Sequence, residues 1–257
     1  MHTGSEQPVF HYNAHGHALS GYITRPIDHV IEIQAPISLP TTGGHGTSHV
    51  ENFRFQEFVS FKRGYSHVSG SHDAGDKAFT TLVTATLEGL NILDVVTADR
   101  IVARISCHHV VPAEEAQIIV VGSYFENLRV AGCPVEVELD HELFLKLDTY
   151  GAVLKELATN ADFRKMAEDP FLTGRTRKSP NAHGSVHCSL VKSIAMKCPG
   201  VKRRGHVLEV PQFGNIYLAE LVAEHSQRTL TMLRVELGCP NGGGITNTQV
   251  QGNGWPL

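Results

Sequence analysis

The chain lacks any run of apolar residues approaching the roughly 18 that a membrane-spanning helix needs, which excludes such a helix. Met1 leads into a segment with neither a basic n-region nor an apolar h-region. No signal peptide is visible, and a cytoplasmic location is the default expectation. Charge is also sparse. Charged residues make up 19% of the chain and the net charge is −4, so a general nucleic-acid binder is not expected. The five cysteines, Cys107, Cys133, Cys188, Cys198 and Cys239, contain no CxxC spacing. They read as small buried hydrophobes, with a Cys188–Cys198 bridge as the alternative.

Complete reaction motifs are missing too. Gly64–Ser66 begins a G-x-S-x-G elbow, but Val68 stands where its second glycine belongs. Ser71, His72 and Asp73 are consecutive, whereas a working triad assembles from separate segments. GxxxxGK, HExxH and a GxGxxG that joins strand to helix are absent. Cys107 and His109 share one strand face, but the buried-thiol reading outweighs a nucleophile–base pair.

What is present is β pattern. In Arg100–Cys107, Ile101, Ala103, Ile105 and Cys107 alternate with Arg100, Val102, Arg104 and Ser106. Successive strand side chains point to opposite faces, so this segment has an apolar side and a mostly wet side. Thr80–Leu87 and Gln117–Val121 are rich in β-branched residues that suit a pleated surface. Further strands are expected at Ala18–Thr24, His29–Ala35, Val186–Ala195, His206–Val210, Asn215–Val222, Arg228–Glu236 and Ile245–Gln251. Thr41–Thr47 reads as a break and Gly64–Lys77 as a Gly/Ser-rich loop. Between them, His49–Phe61 shifts its aromatic parity at Phe58, as a bulged strand would.

Asp140–Asp169 departs from this pattern. Tyr150, Val153, Leu154 and Leu157 stand at helical spacing, and Asn160 is placed to cap a second short helix through Phe163 and Met166. The expected fold is mainly β: antiparallel sandwich or barrel-like modules with a short helical insertion around 148–169. The matching organisation is an N-terminal β module (1–140), the insertion (141–174) and a C-terminal β module (175–257), with one continuous domain as the alternative. Short echoes such as NAHG at Asn13 and Asn181, and LRVAGCP against LRVELGCP, suggest an internal duplication.

Sixteen histidines are the compositional oddity. At reference pKa values near 6.5, lowering the pH to about 5.5 would take the net charge to roughly +10. His15 and His17 are two apart, which on a strand sets them on one face at roughly 6.5–7 Å and permits a shared zinc. His45/His49 and His183/His187 are four apart, roughly 13 Å along a strand. Charge is also segregated. Pro170–Leu208 holds eight bases and no acid, while Glu136–Asp169 holds nine acids and four bases. These blocks either neutralise each other within the monomer or steer subunits together. On the second view Arg175, Arg177, Lys178, Lys202, Arg203 and Arg204 are the candidate assembly contacts.

The segment TTLVTATLEGLNILDVVTADRIVARIS, followed by GSYFENLRVAGCPVEV, resembles the repeating unit of bacterial choice-of-anchor P proteins. Those modules carry similar G-L-x-x-x-x-x-x-T-A-D-x-x-x-A and G-S-x-F-x-N-L-x-V runs. The resemblance implies a β-rich bacterial surface or extracellular protein and supplies no functional residues. Together these features suggest a non-enzymatic structural protein that self-associates, with itself as partner and no cofactor. Two alternatives are a metal-dependent enzyme built on histidine and zinc, and a ligand-binding β module.

Overall fold

The computed structural model describes residues 10–75, 77–169, 184–238 and 240–256. The mainly β expectation holds, as two nine-stranded antiparallel sheets packed face to face. Strands β1 (Phe10–Arg25), β2 (His29–Gln34) and β3 (Ile37–Ser38) belong to sheet I. The chain then crosses to sheet II and builds β4 (Gly44–Phe55), β5 (Val59–Asp73), β6 (Ala78–Ile92) and β7 (Val96–Val110). Four shorter strands follow there: β8 (Gln117–Ile119), β9 (Tyr124–Glu126), β10 (Arg129–Val130) and β11 (Cys133–Leu139). After three helices, α1 (His141–Lys146), α2 (Tyr150–Thr159) and α3 (Ala161–Ala167), β12 (Val186–Ser189) joins sheet I and β13 (Val191–Met196) joins sheet II. Strands β14 (Lys202–Arg204), β15 (Val207–Val210), β16 (Gly214–Ala223), β17 (Gln227–Leu237) and β18 (Gly242–Pro256) complete sheet I.

The sheets share strands from both ends of the chain. β1 pairs with β18 across sheet I, and β13 pairs with β11 at the rim of sheet II. One apolar core runs between them, including Leu19, Val83, Leu87, Ile101, Ile105, Leu230 and Val250. The Arg100–Cys107 alternation appears as expected: Ile101, Ala103, Ile105 and Cys107 are buried, and Val102 is buried as well. The two helices that the spacing predicts form as α2 and α3, and α1 precedes them. The Asn160 side chain accepts hydrogen bonds from the amides of Asp162 and Phe163, while Tyr150, Val153 and Phe163 enter the core.

Four readings need correction. Gly64–Lys77 is not a loop, because β5 continues to Asp73. Its glycines mark close approach of the sheets: a Cβ at Gly64 would lie 2.8 Å from Ala18 Cβ, and one at Gly70 would lie 2.7 Å from Leu39 Cδ2. His49–Phe61 is not a bulged strand either. Residues 56–58 turn β4 into β5, so Phe53 and Phe61 become cross-strand partners with rings 5.0 Å apart. Val186–Ala195 divides at the buried Leu190, where the chain passes from sheet I to sheet II. Finally, Cys198 bonds Cys133, while Cys188 is a free buried thiol. Cys188 points into the core from β12, where Cys198 does not reach it.

Both sheets bend along a line of skipped register. In sheet II the line passes Asn52, Lys62, Gly89 and Asp99 on β4 to β7. In sheet I it passes Ala219, Met232, Thr248 and Ala18 on β16, β17, β18 and β1. Alternate strands carry the left-handed residue: Asn52 (φ 53°), Gly89 (φ 67°), Ala219 (φ 49°) and Thr248 (φ 45°). At each of these positions a facing pair drops out of the ladder without a shift of register, and the side chains beyond it take the other parity. On β1, Ala14, Gly16 and Ala18 face the core before the bend, and Leu19 and Ile23 do so after it.

Candidate functional site

The parity change on sheet I turns Ser20 and Tyr22 of β1 outward, beside Gly244 and Thr246 of β18 and Arg234 and Glu236 of β17. They line a groove of about 320 Å³ whose outer wall is Val30 and Ile33 of β2. Gly244 makes room for it. A Cβ there would lie 3.0 Å from Tyr22 Cε1 and 3.2 Å from its hydroxyl, so the Tyr22 ring lies directly against the glycine backbone. Tyr22 remains 52% exposed, which leaves the rest of its surface to solvent beside the exposed Val30 and Ile33.

The opposite wall is a closed polar network. Arg234 donates to both carboxylate oxygens of Glu220, at 2.7 and 2.8 Å, and to Glu236 through Nη1. Its guanidinium carbon stands 3.6 Å over the Tyr217 ring, while the Tyr217 hydroxyl donates to Glu236 at 2.6 Å. His206 Nε2 lies 3.7 Å from Glu220. Burial pulls the Glu220 carboxyl upward, but the bonds from Arg234 and the neighbouring His206 outweigh it and hold it below its ordinary value. Burial and its bond to Glu236 push the Tyr217 phenol up to about 12. Arg234 is thus neutralised on two sides, by Glu220 and by Glu236. Preordered carboxylate and hydroxyl groups suit hydrogen bonding to a neutral ligand and repel an anion.

His15 and His17 adjoin this groove on the same outer face of β1, as their spacing predicts. Their register neighbours are Gln251, Gln249 and Ser38, and among the described residues no group of three potential metal ligands forms. His17 Nε2 is 3.0 Å from Ser20 Oγ. Burial, helped by the nearby His15, lowers the His17 imidazole to about 4. His45 and His49 lie in β4, and His187 meets Ser185 at 3.1 Å; His183 falls outside the described residues.

The basic candidates divide in a similar way. Lys202, Arg203 and Arg204 are exposed on β14, while Arg175, Arg177 and Lys178 lie outside the described residues. Arg203 already binds the carbonyls of Gly205 and Ile194, and Arg204 meets Asp169 at 3.4 Å. Lys192 likewise pairs with Glu138 at 2.8 Å. Of these contacts, Arg204–Asp169 and Lys192–Glu138 join the basic and acidic blocks within one chain. The buried thiols are pushed up by desolvation, Cys107 to about 11 and Cys188 to about 12. Neither has thiolate character at neutral pH.

Sequence reasoning missed Tyr22, Glu220, Arg234 and Glu236 as a group, because they come from strands at opposite ends of the chain. The readable signal was the NGGG run at Asn241–Gly244, where bare backbone permits an aromatic cover. No curated protein and no solved structure matches the chain. A family model described as a domain of unknown function, DUF8256, matches residues 10–224. The chain therefore belongs to the DUF8256 family.

Proposed function

We propose that the protein is a non-enzymatic binding module whose sheet I groove holds a neutral polyhydroxylated ligand, of the kind a glycan offers. The observation that carries this is the Tyr22 ring laid on Gly244 beside the prealigned Glu236 carboxylate. A pyranose has an apolar C–H face that suits an exposed aromatic ring, and a rim of hydroxyls that suits fixed acceptors. Val30 and Ile33 extend the apolar side, while Ser20 and Thr246 add hydroxyls. Because the charged groups already satisfy one another, binding spends little on ordering side chains.

The test is affinity electrophoresis against soluble neutral and acidic polysaccharides, followed by calorimetry on any that retard the protein. Retardation by a neutral polymer is expected, with little change between low and high salt. Tyr22→Ala should weaken that binding at least about tenfold, or roughly 1.4 kcal/mol, with the circular dichroism spectrum unchanged. Binding confined to acidic polymers, or indifferent to Tyr22→Ala, would remove the reading.

A further inference from the structure

Sheet edges are where a β protein meets another chain unless something blunts them. The two sheets end in β14, β2, β13 and β4. β14 is three residues long and wholly basic, and Arg203 ties it to the Ile194 carbonyl of β13. β2 and β13 are six residues each, and both carry a register irregularity against their neighbour. β4 differs. It runs for twelve residues, contains neither lysine nor proline, and among the described residues pairs with β5 alone.

β4 also ends a charge ladder. Register places Glu51, Arg63, Glu88, Arg100 and Glu126 side by side on β4, β5, β6, β7 and β9. Arg63 and Arg100 meet Glu88 at 3.1 and 2.7 Å, and Arg100 lies 3.9 Å from Glu126. The alternation of sign stops at Glu51, on the open side. A strand added there would continue the pattern by offering a donor or cation.

We propose that a second copy of this chain supplies that strand, with β4 pairing antiparallel to β4 about a two-fold axis through Ser48. Three features select this register. The exposed residues are His45, Thr47, His49 and Glu51, and the half-buried ones are Gly46, Ser48 and Val50. Sheet faces match only when like parity meets like. The strand bends at Asn52, so pairing is confined to the straight run before it. Within that run, an axis at Ser48 sets Glu51 opposite the second copy's position 45, so each ladder ends on an imidazole. A two-fold contact of this kind closes on itself and yields a dimer.

Sedimentation velocity on the full chain should show a dimer. Thr47→Lys with His49→Lys places lysine against lysine across the axis, on exposed positions that leave the fold intact. This pair should weaken dimerisation at least about tenfold. Under mild oxidation Ser48→Cys should cross-link to itself. Val50→Cys should not, because its two copies lie roughly 13 Å apart in this register. A monomer at high concentration, or a dimer untouched by the double lysine variant, would overturn the contact. Cross-linking at Val50→Cys but not at Ser48→Cys would overturn the register. The groove on sheet I takes no part in any of these readouts.

Discussion

Glu88 on sheet II and Glu220 on sheet I stand in matching places, each beside the left-handed residue of its sheet's bend, yet they keep different company. Glu88 lies in a flat row between Arg63 and Arg100, whose side chains are 64% and 41% exposed. Glu220 holds one Arg234, 27% exposed, which is pressed onto Tyr217 and shared with Glu236. The row on sheet II has its charges in register across five strands. On sheet I the bare backbone of Gly244 and the turned-out Tyr22 open a groove along the network. A bend supplies the parity change, but glycine and an aromatic ring make the site.

The sharpest way to break the comparison is to remove the two carboxylates in turn. Glu220→Leu takes two hydrogen bonds from a largely buried guanidinium and leaves it Glu236 alone, and unfolding in urea should show a loss of about 3 kcal/mol, the low end for a broken buried pair. Glu88→Leu removes a partner from two well-solvated arginines and should cost below about 1 kcal/mol. Equal losses would mean that the networks are energetically alike despite their different surroundings.

The second test uses acid. An unfolded histidine takes up its proton near pH 6.5, while burial lowers folded His17 to about 4. The native state therefore binds fewer protons than the unfolded state between those values. Stability is full above pH 6.5 and falls as pH drops toward 4, by up to about 1.4 kcal/mol per unit and about 2–3 kcal/mol in all. His17→Gln should flatten that slope in melts taken across the range.

The architecture was legible because it rests on local pattern. Ile101, Ala103, Ile105 and Cys107 reveal their buried face by alternation, and Asn160 reveals a helix start by its own chemistry. Legibility failed where distant contacts decide. Gly64 and Gly70 looked like loop residues because their reason for being glycine is the opposite sheet, at Ala18, Leu39 and Tyr12. Cys198 finds Cys133 through the pairing of β11 with β13, which no spacing encodes. The groove was hidden for the same cause. Tyr22 and Glu236 become neighbours through the register of β1, β18 and β17, whereas His15 and His17, adjacent in sequence, gather no third ligand among the described residues.

The third test concerns the bends. Gly89 has φ 67°, and a Cβ there would lie 2.7 Å from the flexible stem of Lys62. Gly89→Ala should cost about 1–2 kcal/mol, chiefly for the left-handed backbone. Ala219 already bears such strain at φ 49°. Ala219→Gly relieves it but loosens the unfolded chain by about 0.4–1 kcal/mol, so the net change should lie within about 1 kcal/mol of zero. Thermal melts of both variants would show whether the sheets bend at similar expense.

The smallest effect on stability is also the one that most directly separates site from scaffold. Tyr22 is half exposed, and its ring covers the backbone of Gly244 on the neighbouring strand. Cross-strand pairs of this kind contribute about 0.2–1 kcal/mol, so Tyr22→Ala should lower stability by no more than that. If the ring is a ligand platform, the same substitution removes at least about tenfold in affinity, a loss too large to come from the small fraction of unfolded chain. Tyr22→Phe keeps the ring and deletes the hydroxyl, and should retain most of the binding if stacking dominates. A Tyr22→Ala variant that loses several kcal/mol of stability would instead make the ring a structural cover for glycine, and sheet I would differ from sheet II in packing alone.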